Sequence, residues 1–417
     1  MGRKFKKLID YITLLNLILF HGKKHFSFAL IILGAGCFFL SNVLFKIIFT
    51  DLEYGQYSIV ITYLSVMYIL GLLGLEQIFL RYSFQFKANT ISTQKFQIKL
   101  ISWSIVLTPI LGVICFQIYF SDVYINPFLL YFSSLSMVAL LFIFNSFRLN
   151  TDFIMAQFAA NFWRFFLLFI AILASIYKPL TFEEIINAVL ISTIFIFILT
   201  FIYCFKKIKF VFDESVSRKD LIFTAFQFFI SITTFSVLIF GDRFLVEYKF
   251  SVEEFGNYFY LTNFFLAPFS IFQNYIGFKQ LIFFKKEFNI HLFNTFNKKF
   301  LLLGCGLGVL LFGISYIANQ FKHLNFDFDK YTNVIILLII MGIVRLYSAS
   351  INSAFEAKTN IKSLQKANLI FIFFALLIIT ASLFFESLEA IVVCIILVWL
   401  LRCVIMKKIL VKQLNHD

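Results

Sequence analysis

FTDLEYGQY, Phe49 to Tyr57, returns 201 positions later as FSVEEFGNY, Phe250 to Tyr258, and each copy stands between two long apolar runs. Four of the nine positions are identical: Phe49 with Phe250, Glu53 with Glu254, Gly55 with Gly256 and Tyr57 with Tyr258. Three more pair Thr with Ser, Tyr with Phe and Gln with Asn. The chain reads as an internal duplication, each half being one structural unit.

Composition identifies the solvent those units face. Of 417 residues 61% are hydrophobic and 14% charged, spread over the whole length, which excludes a soluble domain built on a single core. In hydrocarbon every backbone N–H and C=O must be paired within the chain, so each long apolar run has to be a helix of about 20 residues. Twelve such spans are predicted, near 26–48, 56–80, 100–120, 125–147, 157–177, 185–205, 221–241, 255–278, 300–320, 332–355, 366–385 and 390–406. The 63 Phe residues mostly serve lipid contact. Ahead of the first span, the apolar stretch Leu8 to Phe20 is too short to cross and is bracketed by Lys and Arg. Residues 1–25 are expected to form a basic arm lying in the interface.

Lys and Arg resist translocation, so their distribution orients the chain. With the N-terminus inside, 28 of the 36 fall on the cytoplasmic side and six outside, while Arg164 and Arg345 lie within spans. Acidic residues run the other way, with 13 outside, eight inside and Glu76 in span 2. The net charge of +14 thus follows from topology and lipid headgroups and does not imply nucleic-acid binding. Six spans per half give both halves the same topology, with both termini cytoplasmic. Parallel repeats are related by an axis along the membrane normal and handle substrate at their interface. The expected units are a bundle at 26–205, a cytoplasmic linker at 206–220, a second bundle at 221–411 and a tail at 412–417.

An enzymatic centre finds little room in loops this short. His21 and His25 have i,i+4 spacing but sit in the basic arm, and the six Cys are scattered singly, so no metal site or disulfide is expected. Asp327 and Asp329 spell DxD in a short outer loop and read as solvated. Gly304, Gly306, Gly308 and Gly313 follow no strand and precede no Lys, so they are assigned to close helix approach rather than phosphate binding. Pro268 is predicted to bend span 8. No nucleotide-binding motif is present, and no cofactor is expected.

Polar residues on single helix faces are the better lead. Span 10 aligns Arg345, Ser348, Asn352 and Glu356; span 5 aligns Gln157, Asn161 and Arg164; span 8 aligns Tyr260, Asn263, Ser270 and Asn274; span 7 aligns Gln227, Ser231, Thr234 and Gly241. Neutral members can equally be helix-to-helix glue. Ionisable groups at membrane depth cost several kcal/mol unless paired or wetted, so they mark function. Arg164 and Arg345 suit a phosphate or pyrophosphate, with Asn161, Asn352, Asn263, Asn274 and Gln227 as further cavity candidates. Glu76, Asp242 and Glu356 are candidate proton or cation carriers. Glu76 has Arg81 one turn on as a possible salt-bridge partner. Asp242 and Arg243, expected to end span 7, are neighbours in sequence, so one can gate while the other anchors.

GLLGLEQIFLRY, Gly71 to Tyr82, preceded by the LEYGQYS turn, resembles the opening signature of polysaccharide and O-antigen flippases of the multidrug/oligosaccharidyl-lipid/polysaccharide exporter superfamily. GDRFLVEYKFSVEEFGNY, Gly241 to Tyr258, is similar to the segment closing the seventh helix of that family, and NSFRLNTDF (145–153) and NSAFEAKTN (352–360) also suit its pattern. The resemblance implies an all-α polytopic protein of the bacterial inner membrane, with two six-helix bundles in a V. It would move undecaprenyl-pyrophosphate-linked oligosaccharide between leaflets by ion-driven alternating access, beside polymerase and ligase partners. A multidrug exporter of the same superfamily would be expected to favour acidic cavity residues. A peptidoglycan-precursor flippase would more typically have fourteen spans, and a membrane polymerase or ligase would carry a large outer loop.

Overall fold

A computed structural model describes residues 26–177, 180–213, 217–286, 288–320, 326–359 and 361–414. The arm at 1–25, including His21 and His25, lies outside the described residues. Helix α1 covers Phe26–Ile48. It is followed by α2 (Asp51–Leu70), α3 (Leu75–Tyr82), strands β1 (Phe84–Lys87) and β2 (Thr90–Thr93), α4 (Lys95–Tyr119), α5 (Pro127–Leu149), α6 (Phe153–Ile176) and α7 (Phe182–Lys207). Strand β3 (Lys209–Phe212) precedes α8 (Arg218–Lys249), α9 (Val252–Lys286), α10 (Ile290–Gln320), α11 (Phe328–Lys358), α12 (Ile361–Ser382) and α13 (Leu388–Leu414). Since α2 and α3 make one crossing, six crossings stand on either side of β3. By length and apolarity, eleven segments among the described residues can span a membrane. The 35-residue α9 carries the run expected as the eighth span.

The duplication extends far beyond nine residues. Helices α1 and α8 end 201 positions apart, at Ile48 and Lys249. Helix starts keep the same interval because the capping residues do. Thr50 and Ser251 each accept from the backbone N–H of a Glu three residues on, while Asn126 and Asp327 cap α5 and α11. Asp327 of the DxD is therefore a helix cap. Further along the interval lengthens to 206, where Thr181 caps α7 and Ser387 accepts from Ala390 at the start of α13.

Three expectations change. Span 2 is broken: Leu73 (φ 53°) and Gly74 (φ 80°) take the left-handed region between α2 and α3, which glycine allows freely. Ser104 Oγ donates to the Gly71 carbonyl at 2.8 Å, pairing a carbonyl at the break. Span 7 does not stop at residue 241, since nothing up to Lys249 breaks a helix, so Asp242 and Arg243 lie inside α8. The 206–220 segment holds the end of α7 and β3. That strand pairs in parallel with β2, itself paired antiparallel to β1, and the small sheet rests on the N-terminal bundle. Helix α9 continues through Pro268.

The end of the molecule bearing the α1–α2 and α8–α9 turns is the acidic one; the sheet lies at the basic end. At the acidic end the two repeat segments meet each other. A Cβ on Gly55 would stand 2.2 Å from the Val252 carbonyl oxygen, and one on Gly256 would stand 3.0 Å from Gly55 Cα. Lys46 Nζ, ion-paired with Asp51, also donates to Asn257 Oδ1 across this seam at 2.8 Å. At the basic end a Cβ on Gly74 would meet the Phe228 backbone at 2.6 Å, and the hydroxyls of Tyr82 and Thr224 lie 3.4 Å apart. Helix association in lipid depends on close packing rather than on expelling water, so glycines at both ends of α2–α3 let the halves touch backbone to backbone. In α10, Gly304 and Gly308 face Ile343 and Ile339 of α11, whereas Gly306 and Gly313 face open space.

Candidate functional site

Helix α8 places Asp242 and Arg243 against α9. Asp242 is 3% exposed, and its Oδ2 accepts from the Tyr258 hydroxyl at 2.7 Å. One residue on, Arg243 turns to the other side of α9, where Nη2 donates to Asn263 Oδ1 at 3.4 Å and the guanidinium lies 4.9 Å from the Phe259 ring. Arg345 on α11 stacks over Trp399 of α13 at 5.3 Å, within electrostatic reach of Asp242, Arg243 and Tyr258. Asp242 thus lies within electrostatic reach of two arginines in the second bundle without forming an ion pair to either. The first bundle meets this network through Tyr54, whose hydroxyl donates to Asn42 Oδ1 at 3.5 Å and whose ring lies 6.4 Å from that of Phe259, the ring under Arg243.

A second network lies in the first bundle along α6. Asn161 Nδ2 donates to the Gln157 backbone oxygen at 3.0 Å and to Gln157 Oε1 at 3.1 Å, and Arg164 Nη1 donates to Asn161 Oδ1 at 3.1 Å. The Arg164 guanidinium sits 5.5 Å from the Phe38 ring and 5.6 Å from Trp163, beside Tyr68 of α2. Gly34 of α1 lets Asn161 come close, since a Cβ there would lie 2.7 Å from Asn161 Cβ. Among the described residues no ion pair holds Arg164 or Arg345. Their Nε atoms and Asp242 Oδ1 are buried without a protein hydrogen bond. Each such atom costs about 1–3 kcal/mol, so these positions are suited to an anion, an ion or water supplied from outside the chain.

Glu76 stands apart from both networks. It is 4% exposed in the first turn of α3, just after the break, and its Oε2 has no protein partner. The suggested bridge to Arg81 is not formed: Arg81 is exposed and lies over the Tyr82 ring, because α3 turns its polar side outward there. Among the other expected residues, Ser348 and Thr234 bond to carbonyls of their own helices, and Asn352 and Gln227 are half-buried. The side chains of Asn274 and Glu356 lie outside the described residues. The structure brings Asp242, Arg243, Asn263 and Arg345 together, and Asn161 with Arg164 separately. Tyr258, Tyr54 and Trp399 were not singled out as site residues from sequence. Tyr258 is the last residue of the duplicated segment and was marked by that pattern alone. No group of three His, Cys, Asp or Glu among the described residues could hold a metal ion.

No family model and no curated protein sequence matches the chain. Among solved structures it is similar to the lipid II flippase MurJ in an inward closed conformation, with a TM-score of 0.65, 15% identity, 93% of this chain covered and 86% of that one. A weaker likeness, with a TM-score of 0.39 and 11% identity over 95% of this chain and 98% of the other, is to a MATE transporter of Vibrio cholerae. The first likeness shows a shared fold, that of an all-helical polytopic membrane protein.

Proposed function

We propose that the chain is a flippase for a polyprenyl-pyrophosphate-linked oligosaccharide, such as an undecaprenyl-linked O-antigen repeat unit, carried from the inner to the outer leaflet of a bacterial cytoplasmic membrane. One observation carries the reading: each bundle holds a half-buried arginine within its spans, Arg164 and Arg345, with no ion-paired carboxylate among the described residues. A cation kept at membrane depth is expensive unless an anion completes it, and guanidinium binds phosphate oxygens in pairs. The shared fold with a lipid II flippase supports a lipid-linked cargo. In this reading the basic end is cytoplasmic, and the bundles part alternately at the α2–α9 and α3–α8 seams. An ion gradient supplies the energy, with Asp242 and Glu76 as carriers. That same fold favours one second reading, a peptidoglycan precursor as cargo.

Purified protein in proteoliposomes, offered undecaprenyl-pyrophosphate oligosaccharide or lipid II separately, tests both. The appearance of sugar at the opposite face is followed with an impermeant glycosidase. The oligosaccharide should move, and the double variant Arg164→Ala, Arg345→Ala should slow it by about tenfold or more, the loss of roughly one strong charged contact. Movement of lipid II alone replaces the proposed cargo with the second one, and movement of neither removes the flippase assignment.

A further inference from the structure

We propose that the three-stranded sheet at the basic end is a membrane-interface anchor, binding the anionic phospholipid headgroups of the adjoining leaflet. Alternation gives the sheet two faces. Gln85, Ile91 and Phe210 are aligned across it on the side of the bundle: Gln85 Nε2 donates to Asn150 Oδ1 at 3.2 Å while Gln85 stays exposed, Ile91 is fully buried and Phe210 half-buried. The opposite face carries Phe84, Phe86 and Val211, which are 54%, 57% and 47% exposed. An apolar row of this kind is unfavourable in water and calls for an apolar neighbour.

Three observations point to lipid as that neighbour. The first is depth. The Phe210 ring lies 6.2 Å from Phe142, which is two turns inside α5, about 10 Å from its end at 1.5 Å per residue, so the sheet sits beside the helix ends rather than beyond them. The second is continuity. Rings run down the exposed side of α7 from Phe197 to Phe201 (5.4 Å) and Phe205 (4.4 Å), and on to Phe210 of the sheet (6.2 Å). The third is charge. Lys87, Lys95, Lys209 and Arg218 border the sheet, with Lys87 over the Phe86 ring at 5.5 Å and Arg218 over Phe96 at 5.5 Å. Over 83–99 and 208–220 six basic residues stand against three acidic ones, Asp213, Glu214 and Asp220. Aromatic and basic residues interleaved at a helix-end level are the composition of a surface seated among anionic headgroups.

Photocrosslinking of the full chain tests this. Benzoyl-phenylalanine replaces Phe84, Phe86 or, as a buried control, Ile91, and the protein is reconstituted in equal parts phosphatidylcholine and phosphatidylglycerol. Adducts are identified by mass. Lipid adducts are expected at 84 and 86 but not at 91, favouring phosphatidylglycerol by about threefold or more, as expected for lysines near an anionic surface. In Lys87→Gln with Lys209→Gln that preference should fall towards even while the lipid adducts persist. No lipid adduct at 84 or 86, or in whole cells a protein adduct in its place, overturns the proposal; an unchanged lipid preference in the lysine variant overturns its electrostatic part. The readout is independent of transport, so it stands or falls apart from the flippase assignment.

Discussion

At equivalent places in the two halves, 201 residues apart, the first bundle has Ser41, Asn42, Tyr57 and Phe144 where the second has Asp242, Arg243, Tyr258 and Arg345. The scaffold is shared: each Tyr is fully buried next to its seam glycine region, and each half contributes one glycine to the α2–α9 contact. Only the charges differ. The first half shows that this architecture closes with neutral residues in these positions. The second half nevertheless keeps three ionisable groups at membrane depth, each expensive there unless paired. Charge added to a scaffold that packs without it marks these positions of the second bundle as a place of electrostatic work, as Arg164 and Glu76 are elsewhere in the first. The halves differ again at the break: Gly71 to Gly74 interrupt the second crossing, while α9 runs continuously past the equivalent positions 272–275.

That comparison can be broken at its strongest point by Asp242→Ala. Removing the carboxylate leaves the buried Tyr258 hydroxyl without its acceptor and takes a negative charge from the surroundings of Arg243 and Arg345, at a cost of about 1–3 kcal/mol, and transport should be lost. Ser41→Ala should change stability by no more than about 1 kcal/mol. Thermal unfolding in detergent, paired with the flipping assay, reads both, and equal losses would mean the halves are electrostatically alike. Moving the charges is the complementary change. Ser41→Asp with Asn42→Arg should destabilise by about 2.5–3.5 kcal/mol per charge, because Phe144 stands where Arg345 would complete the set. Adding Phe144→Arg should recover part of that loss, as unfolding in detergent would show. If the three-residue transfer recovers nothing, proximity at the 201 interval does not make the positions equivalent.

Packing at the seam gives smaller effects. Gly55→Leu should cost about 1–3 kcal/mol by forcing the Val252 backbone away, and Gly256→Leu should cost as much if the seam is symmetric. Gly306→Leu, which meets nothing, should stay within about 0.5 kcal/mol. Unfolding midpoints and a cysteine cross-link between positions 46 and 257 check whether the seam has opened. Least of all, Thr181→Ala removes a full capping box, whereas Ser387→Ala removes one cap bond. The losses should fall within about 0.5–2 kcal/mol, the first larger.

Much of this was legible in the chain before folding. The span count and the existence of two like halves came from hydropathy and one repeated segment. The extent of α8 was legible too, although not from hydropathy: α1 ends at Ile48, and the 201 interval places the matching end at Lys249. Hydropathy falls at Asp242 and suggests a boundary, but a helix tolerates charges that find partners, here Tyr258 and Asn263 on the next helix. The sheet was missed because each strand is four residues long. The Ala88–Asn89 turn, with Asn89 at φ 58°, was its one local signal. Nothing local indicates that Lys209–Phe212 pairs with a strand more than a hundred residues earlier.

Within the site, the helical period identified the Gln157, Asn161 and Arg164 line, because residues three and four apart on one helix must be neighbours. It could not tell that Arg345 and Arg243 come within electrostatic reach of the same carboxylate, since their proximity depends on how α8, α9, α11 and α13 pack. The sequence by itself determined the solvent, the number of crossings and the two-fold repetition, because lipid forces every apolar run into the same hydrogen-bonded form. Only the tertiary structure decided which glycines meet, where span 2 breaks and which charges face one another. Those outcomes depend on angstrom-scale contacts between helices, which no property of a single helix contains.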